Sequence, residues 1–598
     1  MPETPPHEIQ GLADQALDNL VHQFARPLDF LRELVQNSID AGTPRVEVWT
    51  RFEPPTDGAA QGVLEVHVDD FGEGMDEALI DTQLTRMFSS TKEGDLTKIG
   101  KFGIGFTSIF AIEPDAVLLR TGRHGEAWEL LFHPDRSFDK VRADSALTGT
   151  KITLFKRMAA EEVAPFVRES RWVLSYWCEH SDTPVLFGDR SGAADPATEV
   201  ASPGTDDPFA DFAAAPTPDS GGLEPVTRPM GLDAELIVEL EEEGVQVVVG
   251  LAAAPSYGFY NGGLTLLSTH NSDALGESAE ELSHLAFKVK YDHLEHTLTR
   301  DNVLQDAHFH KAMGVLQLAA RRLRKELLQR SAEAIEGGDD PTRWYGWLAT
   351  ECRINELHRS YSGFDQAVRL VDRRGESLSL AQVERQERRH DAVLLDPGEG
   401  PLASALEEAG NHLLRDTAAV RELLDACYKP PLLWFLDQGR TVVPADALYL
   451  VPGTLEPDQL SPQERVLTVD CEEMLQASLG DRLRVRVGSF GGGSAARELP
   501  LVLDSPDDGG VCRRDDDISL SWPLIRRRTL VINRHHAAYE AHLAASAADP
   551  ELGAFGLAQA VLHMAGVRGK RRFGKLMSEA IRRHLDQVGE GDGWGELL

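Results

Sequence analysis

Three short segments near the start of the chain carry side chains able to surround a metal-bound triphosphate. They are FLRELVQNSIDAG (30–42), DFGEGM (70–75) and IGKFGIGF (99–106). In the first, Glu33, Asn37 and Asp40 fall at i, i+4 and i+7 and so share one helix face. Magnesium on a nucleotide wants hard oxygen ligands and takes only one or two from protein, a role that suits the Asn37 side-chain oxygen. Glu33, one turn away, is placed to orient or deprotonate an attacking water. In the second segment, Asp70 can accept the exocyclic amine of adenine, where guanine presents a carbonyl. Gly72 and Gly74 let the backbone pass close to a flat ligand. In the third, Gly100, Gly103 and Gly105 precede an apolar helix, and exposed amides at a helix N-terminus bind phosphate oxygens. The third segment is neither a Walker loop, which needs G-K-[ST], nor a convincing dinucleotide fingerprint. Each segment alone also fits a solvated helix face, an acidic turn or an ordinary glycine loop; their order is what carries the reading.

The positioning elements follow from periodicity. Leu28, Leu31, Leu34, Val35 and Ile39 recur at helical spacing and predict a helix with that stripe in a core. Residues 63–68, VLEVHV, alternate as a strand that delivers Asp70 at its end. An apolar helix is expected from Thr107 to Ile112. Gly149-Thr150 opens the strand KITLF, with Thr150 able to hydrogen-bond beside the base. Residues 76–98, including Ser89-Ser-Thr-Lys92, read as a mobile lid between the Asp70 loop and the glycine segment.

Together these motifs resemble the GHKL superfamily, which groups DNA gyrase, heat-shock chaperone, histidine kinase and MutL ATP sites. LRELVQNSIDA and IGKFGIGF resemble most closely the heat-shock protein 90 chaperones of the bacterial HtpG type. The resemblance implies an α/β multidomain chain: an N-terminal GHKL (Bergerat) α/β sandwich at 1–190, a flexible acidic linker rich in Pro, Ala and Gly at 191–225, an α/β middle domain at 226–460, and an α+β C-terminal dimerisation domain at 461–598. It implies ATP contacts from Asn37, Asp40, Asp70, Gly72, Gly74, Met75, Lys92, Gly100, Gly103, Gly105, Phe106 and Thr150. It implies Mg2+ on Asn37 through the nucleotide, and a catalytic pair of Glu33 and Arg300. Arg300 enters because LEHTLTRDNVLQDAHFHKAM (294–313) is similar to a middle-domain segment whose arginine reaches the γ-phosphate, and a guanidinium suits charge spread over phosphoryl oxygens. SLSLAQVERQERRHDAVLLD (377–396) is similar to a later stretch with a short helix before a buried strand. In TLVINRHHAAYEAHL (529–543), Arg534 and Ala537 stand where the family has prolines. Phe573, Leu576, Met577, Ala580, Ile581 and Leu585 form a stripe that packs either within its own domain or against a second copy; the resemblance favours a homodimer. Non-native client proteins are the implied partners.

Composition agrees. At 598 residues the chain is too long for one core, and 42% hydrophobic with 26% charged residues is ordinary for a globular protein. No apolar run reaches the roughly 18 residues of a membrane span, and MPETPPHEIQ does not read as a secretory signal. Five scattered cysteines without C-x-x-C suggest a reduced, metal-free, cytoplasmic protein. A net charge of −37, from 60 basic and 97 acidic residues, disfavours a nucleic-acid partner, since such binders usually present basic surface. Two alternatives to a chaperone ATPase remain: a nucleic-acid-associated GHKL ATPase of the MutL or MORC kind, and a nucleotide-gated scaffold that hardly hydrolyses ATP. For gyrase and MutL chemistry, neither an acidic TOPRIM constellation nor a D-Q-H-A metal signature is found.

Overall fold

A computed structural model of the chain describes residues 26–55, 60–84, 105–144, 146–191, 222–297, 302–428, 441–491, 498–503, 510–514, 527–567 and 570–591. The chain divides into two compact units, Met1–Leu323 and Arg324–Leu598.

The first unit holds two sheets. Eight strands form the larger: β1 (Val46–Glu53), β2 (Gly62–Asp70), β3 (Ala116–Arg123), β4 (Glu126–Phe132), β5 (Phe138–Arg142), β6 (Gly149–Met158), β7 (Val185–Asp189) and β8 (Glu224–Pro225). Their spatial order is β5-β4-β3-β6-β2-β1-β7-β8, with only β1 and β7 paired in parallel. Register builds its buried face: Val48 pairs with Val68, Val68 with Ile152, Ile152 with Leu119, and Leu119 with Leu130. Side chains alternate across a strand, so this row points one way across five strands. Helix α1 (Phe30–Asp40) and helix α2 (Ala160–Cys178) pack on that face. The α1 stripe goes where periodicity puts it: Leu28, Leu31, Leu34 and Val35 are buried and Ile39 packs at the edge. Glu33 and Asn37 remain half-buried and Asp40 exposed.

The expected lid starts later than 76. Asp76 caps a short turn at Glu77–Leu79 by accepting from Leu79 N, and Ile80 and Leu84, one turn apart, enter the same core as α1. Two branched side chains at helical spacing bury there more favourably than they would ride a solvated flap. Residues 85–104 lie outside the described residues. Of the expected linker, 192–221 lie outside them too, while Glu224–Pro225 pair with Phe187 and Leu186 as strand β8.

The smaller sheet contains β9 (Leu236–Glu242), β10 (Val245–Leu251), β11 (Tyr257–Asn261), β12 (Leu264–Thr269) and β13 (Ala286–Lys290), ordered β12-β11-β13-β10-β9. Its seam with the first sheet is polar and tight. The Glu179 carboxylate meets His180 Nε2 at 3.1 Å, Lys288 Nζ at 3.2 Å and Arg228 Nε at 2.9 Å. A Cβ on Gly263, which has φ +80°, would lie 1.7 Å from the His180 carbonyl oxygen, so only glycine allows this approach.

In the second unit, helix α3 (Thr342–Asn355) packs along helix α4 (Ala418–Tyr428). Ser379 and Gln382 form a capping box that starts the helix Leu380–His390, which precedes the buried strand Val393–Leu395, as expected from 377–396. Farther on, helices α5 (Pro462–Leu479), α6 (Pro550–Met564) and α7 (Lys570–Gly591) share a core with the strands Leu483–Gly488, Arg528–Asn533 and Leu501–Leu503. The α7 stripe splits: Leu576 is buried in that core, whereas Met577, Ile581 and Leu585 are 49%, 53% and 62% exposed. No helix among the described residues is long and apolar enough to cross a membrane.

Burial raises the Glu179 pKa, yet His180, Lys288 and Arg228 outweigh it and hold the carboxyl down at about 2. A carboxylate depressed in the folded state stabilises above its unfolded pKa and loses that contribution as pH falls through the folded one. Glu179→Gln should therefore cost on the order of 2–3 kcal/mol at pH 7. In urea unfolding, its gap from wild type should close as pH falls from 4.5 towards about 2; a pH-independent gap would remove Glu179 from this role.

Candidate functional site

A cavity of about 310 Å³ opens between α1 and the larger sheet, lined by Asn37, Ser38, Asp40, Asp70, Glu73, Gly74, Met75, Phe106, Arg123 and Thr150, with Leu34, Leu79, Leu84, Leu119 and Ile152 as apolar walls. Helix α1 supplies one side because its stripe pins the opposite face. Strand β2 ends at Asp70, and β6 begins at Gly149-Thr150 beside it.

Asp70 is buried, and its Oδ1 accepts from Gly72 N at 2.9 Å and Thr150 N at 3.1 Å. Burial pushes its pKa up, while the Gly72 and Thr150 amides and the Ser38 hydroxyl pull against that. The result is a fixed, desolvated acceptor on the cavity floor. The chain then folds back sharply. A Cβ on Gly72 would stand 2.5 Å from the Ala41 carbonyl oxygen, and one on Gly74 (φ +66°) would stand 2.2 Å from the Gly122 carbonyl oxygen. Glu73 N donates to Ala41 O at 3.0 Å, and Phe71 N to Thr43 Oγ1 at 2.9 Å, tying this loop to the end of α1. Gly72 thus sits beneath the cavity and shapes the turn, while Gly74 and Met75 line it.

At the other end, Phe106 follows Gly105 into a helical turn that tightens to 3₁₀ over Ser108–Ile112, where one apolar helix from Thr107 was expected. Left-handed Glu113 (φ 51°) ends it after too few residues for a full α-helix. A Cβ on Gly105 would come 3.0 Å from Glu33 Oε2 and 3.7 Å from Asn37 Nδ2. The carboxylate, the carboxamide and a bare backbone therefore converge on one small space. One hard oxygen from Asn37, with room kept clear by Gly105, fits the modest protein share of a nucleotide-bound Mg2+. Lys92, Gly100, Gly103 and Arg300 lie outside the described residues.

Sequence reasoning missed several site residues. Thr121, fully buried on β3, accepts from Met75 N at 2.8 Å, donates to Gly149 O at 3.3 Å and lies 3.1 Å from Thr150 Oγ1. It fastens the Gly74-Met75 turn to the start of β6. Its signal, a threonine opposite Thr150, exists only once β3 is paired with β6. Arg123 and Glu73 form a 2.5 Å ion pair at the cavity wall. Neither stood out from the many charged residues of the chain.

A family model described as histidine kinase-, DNA gyrase B-, and HSP90-like ATPase matches residues 28–146. That span contains α1, the Asp70 loop, Gly105 and β3, so the N-terminal region carries an ATPase domain of this kind. The chain is also similar to proteins named "Chaperone protein HtpG". The protein from Chlorobium phaeovibrioides is 28% identical over 216 residues, 31% of this chain and 33% of that protein. Those from Nitrosococcus oceani and Nitrosospira multiformis are 29% and 30% identical over 209 and 211 residues, 30% of this chain and 32% of each relative. The chain thus matches about a third of the length of these curated relatives.

Two glycines with positive φ separate strain from crowding. Gly125 (φ +84°) has nothing within 4 Å of the point a methyl group would occupy, whereas Gly74 faces the Gly122 carbonyl. Gly125→Ala should cost about 1–2 kcal/mol from backbone strain alone. Gly74→Ala adds a backbone collision and should cost about 3 kcal/mol or more. Thermal unfolding compares them, and equal losses would contradict the close approach at Gly74.

Proposed function

We propose that this chain is an ATP-dependent molecular chaperone of the heat-shock protein 90/HtpG type. The observation that carries the reading is the convergence of Glu33, Asn37 and Gly105 at one end of a cavity whose floor is the amide-fixed Asp70 carboxylate. Asp70 takes the exocyclic amine of adenine, with Thr150 beside it, and Met75, Phe106 and Ile152 cover the ring. Asp40 and Asn37 face the sugar-phosphate side, and Gly72 and Gly74 shape the loop. The phosphates lie towards Gly100, Gly103 and Gly105, with Lys92 closing over them. Asn37 would hold Mg2+ through the nucleotide, and the ion would supply charge neutralisation for the phosphate oxygens. Glu33 accepts a proton from the attacking water as its oxygen bonds to the γ-phosphorus and ADP departs, giving ADP and phosphate. Arg300 meets charge on the transferred phosphoryl group.

The wider organisation follows the same proposal. An ATP-binding domain at 1–190, a linker at 191–225, a middle domain at 226–460 bearing Arg300 and a dimerisation domain at 461–598 work as a clamp on non-native clients in the cytoplasm. Closure of the segment over the phosphates, rather than chemistry, sets turnover. The exposed Met577, Ile581 and Leu585 recur every four residues on α7 and meet their copies in a homodimer.

Two substitutions test the nucleotide site. Glu33→Ala should keep nucleotide affinity within about threefold while turnover falls at least about 100-fold. Asp70→Asn should weaken ATP binding by about 10- to 100-fold in calorimetry. Unchanged hydrolysis in the first, or unchanged affinity in the second, removes that residue from its role. Stimulation of turnover by DNA rather than by a denatured protein would move the function to the nucleic-acid class. In light scattering, Ile581→Glu should give a monomer from a dimer; an unaltered mass puts the copy-to-copy contact elsewhere.

A further inference from the structure

Cys352 on α3 and Cys427 on α4 bring their sulfurs to 3.9 Å, although 75 residues separate them in sequence. The other three cysteines, Cys178, Cys471 and Cys512, are buried. Cys427 is only half-buried and lines a cavity of about 540 Å³ together with His358, Tyr361, Phe364 and Glu384. His358 follows α3 on the short helix Leu357–Ser360. Burial, aided at Cys471 by the Glu472 and Asp470 charges, pushes the Cys178 and Cys471 thiols up, Cys178 to about 12 against the opposing pull of Arg32. At Cys352 the direction reverses. The Cys427 S–H···S bond, helped by His358, outweighs burial and brings Cys352 down to about 6, while the same bond keeps the proton on Cys427. The two sulfurs therefore share one hydrogen-bonding contact beside a cavity that Cys427 lines.

We propose that Cys352 and Cys427 are a redox-active dithiol, a modification site at which hydrogen peroxide entering the adjoining cavity drives reversible disulfide formation. Cys427 is the one of the two that lines the cavity, and Cys352, held towards the thiolate, takes the proton from the Cys427 sulfur as it reacts. That sulfur attacks a peroxide oxygen; an S–O bond forms, the O–O bond breaks and the first water leaves. The Cys352 sulfur then attacks the Cys427 sulfur, the S–O bond breaks and the second water leaves. Two thiols lose two electrons and two protons to the peroxide, which is reduced to two waters. Starting from 3.9 Å, the sulfurs must close to a bond length of about 2.05 Å, a shift within reach of side-chain rotation. The product staples α3 to α4 and is opened again by a dithiol reductant.

The test uses the full-length reduced protein, hydrogen peroxide as the probe, an alkylating quench and peptide mapping by mass spectrometry. The expected result is one cross-linked product joining the Cys352 and Cys427 peptides, formed at least about tenfold faster than Cys178 or Cys471 oxidises, and reversed by dithiothreitol. In Cys352→Ser the link is lost and Cys427 is trapped as a sulfenic acid by a diketone reagent. Oxidation of all five thiols at similar rates, or stable sulfinic acids without a cross-link, overturns the proposal. No nucleotide enters this assay, so its failure leaves the ATPase reading untouched.

Discussion

The Asp70 carboxylate, buried and gripped through one oxygen by two backbone amides, is the constraint around which the first unit is arranged. A buried charge is costly unless it is hydrogen-bonded. Supplying those bonds requires the chain to double back after β2 and requires β6 to begin alongside. Both demands fall on backbone rather than side chains. Gly72 passes against the end of α1, Gly74 against Gly122, and Gly149 (φ +92°) against Asp70 itself, where a Cβ would stand 2.4 Å from its carbonyl oxygen. One ionisable group thus fixes the positions of α1, β3 and β6 relative to the cavity.

The opposite end of the cavity has a looser logic. Glu33 and Asn37 stand on the polar face of a helix whose apolar face is locked in the core, so their directions are set by packing they do not take part in. Their placement follows from the packing of the α1 stripe in the core. This contrast gives the Asp70 end of the cavity a floor fixed by backbone amides.

Much of this was readable in the residues. The α1 stripe, strand β2 and the Asp70 turn follow from spacing because each is decided by neighbours within a few positions. The terminal α7 helix was legible as a stripe, but not that Leu576 would turn inward while Met577 and Ile581 stayed out, since that depends on where α5 and α6 lie. Ile80 and Leu84 did carry a helical signal, masked by the polar residues around them, and reading all of 76–98 as a lid overlooked it. Thr121 and the Glu179 cluster were beyond reach for another reason. Apart from His180, which adjoins Glu179, their partners lie 28 to 109 residues away, and only the folded chain brings them together.

The seam at Gly263 and Glu179 bears on how the molecule tolerates change. The chain leaves the larger sheet at Asp189 and rejoins it at Glu224 on strands that run antiparallel to each other, β7 and β8. Among the described residues, the contacts of Glu179 with His180, Lys288 and Arg228 join the two sheets. Loop-closure entropy grows only slowly with length. With its two ends held on neighbouring paired strands, a change in the length of this stretch costs little closure entropy.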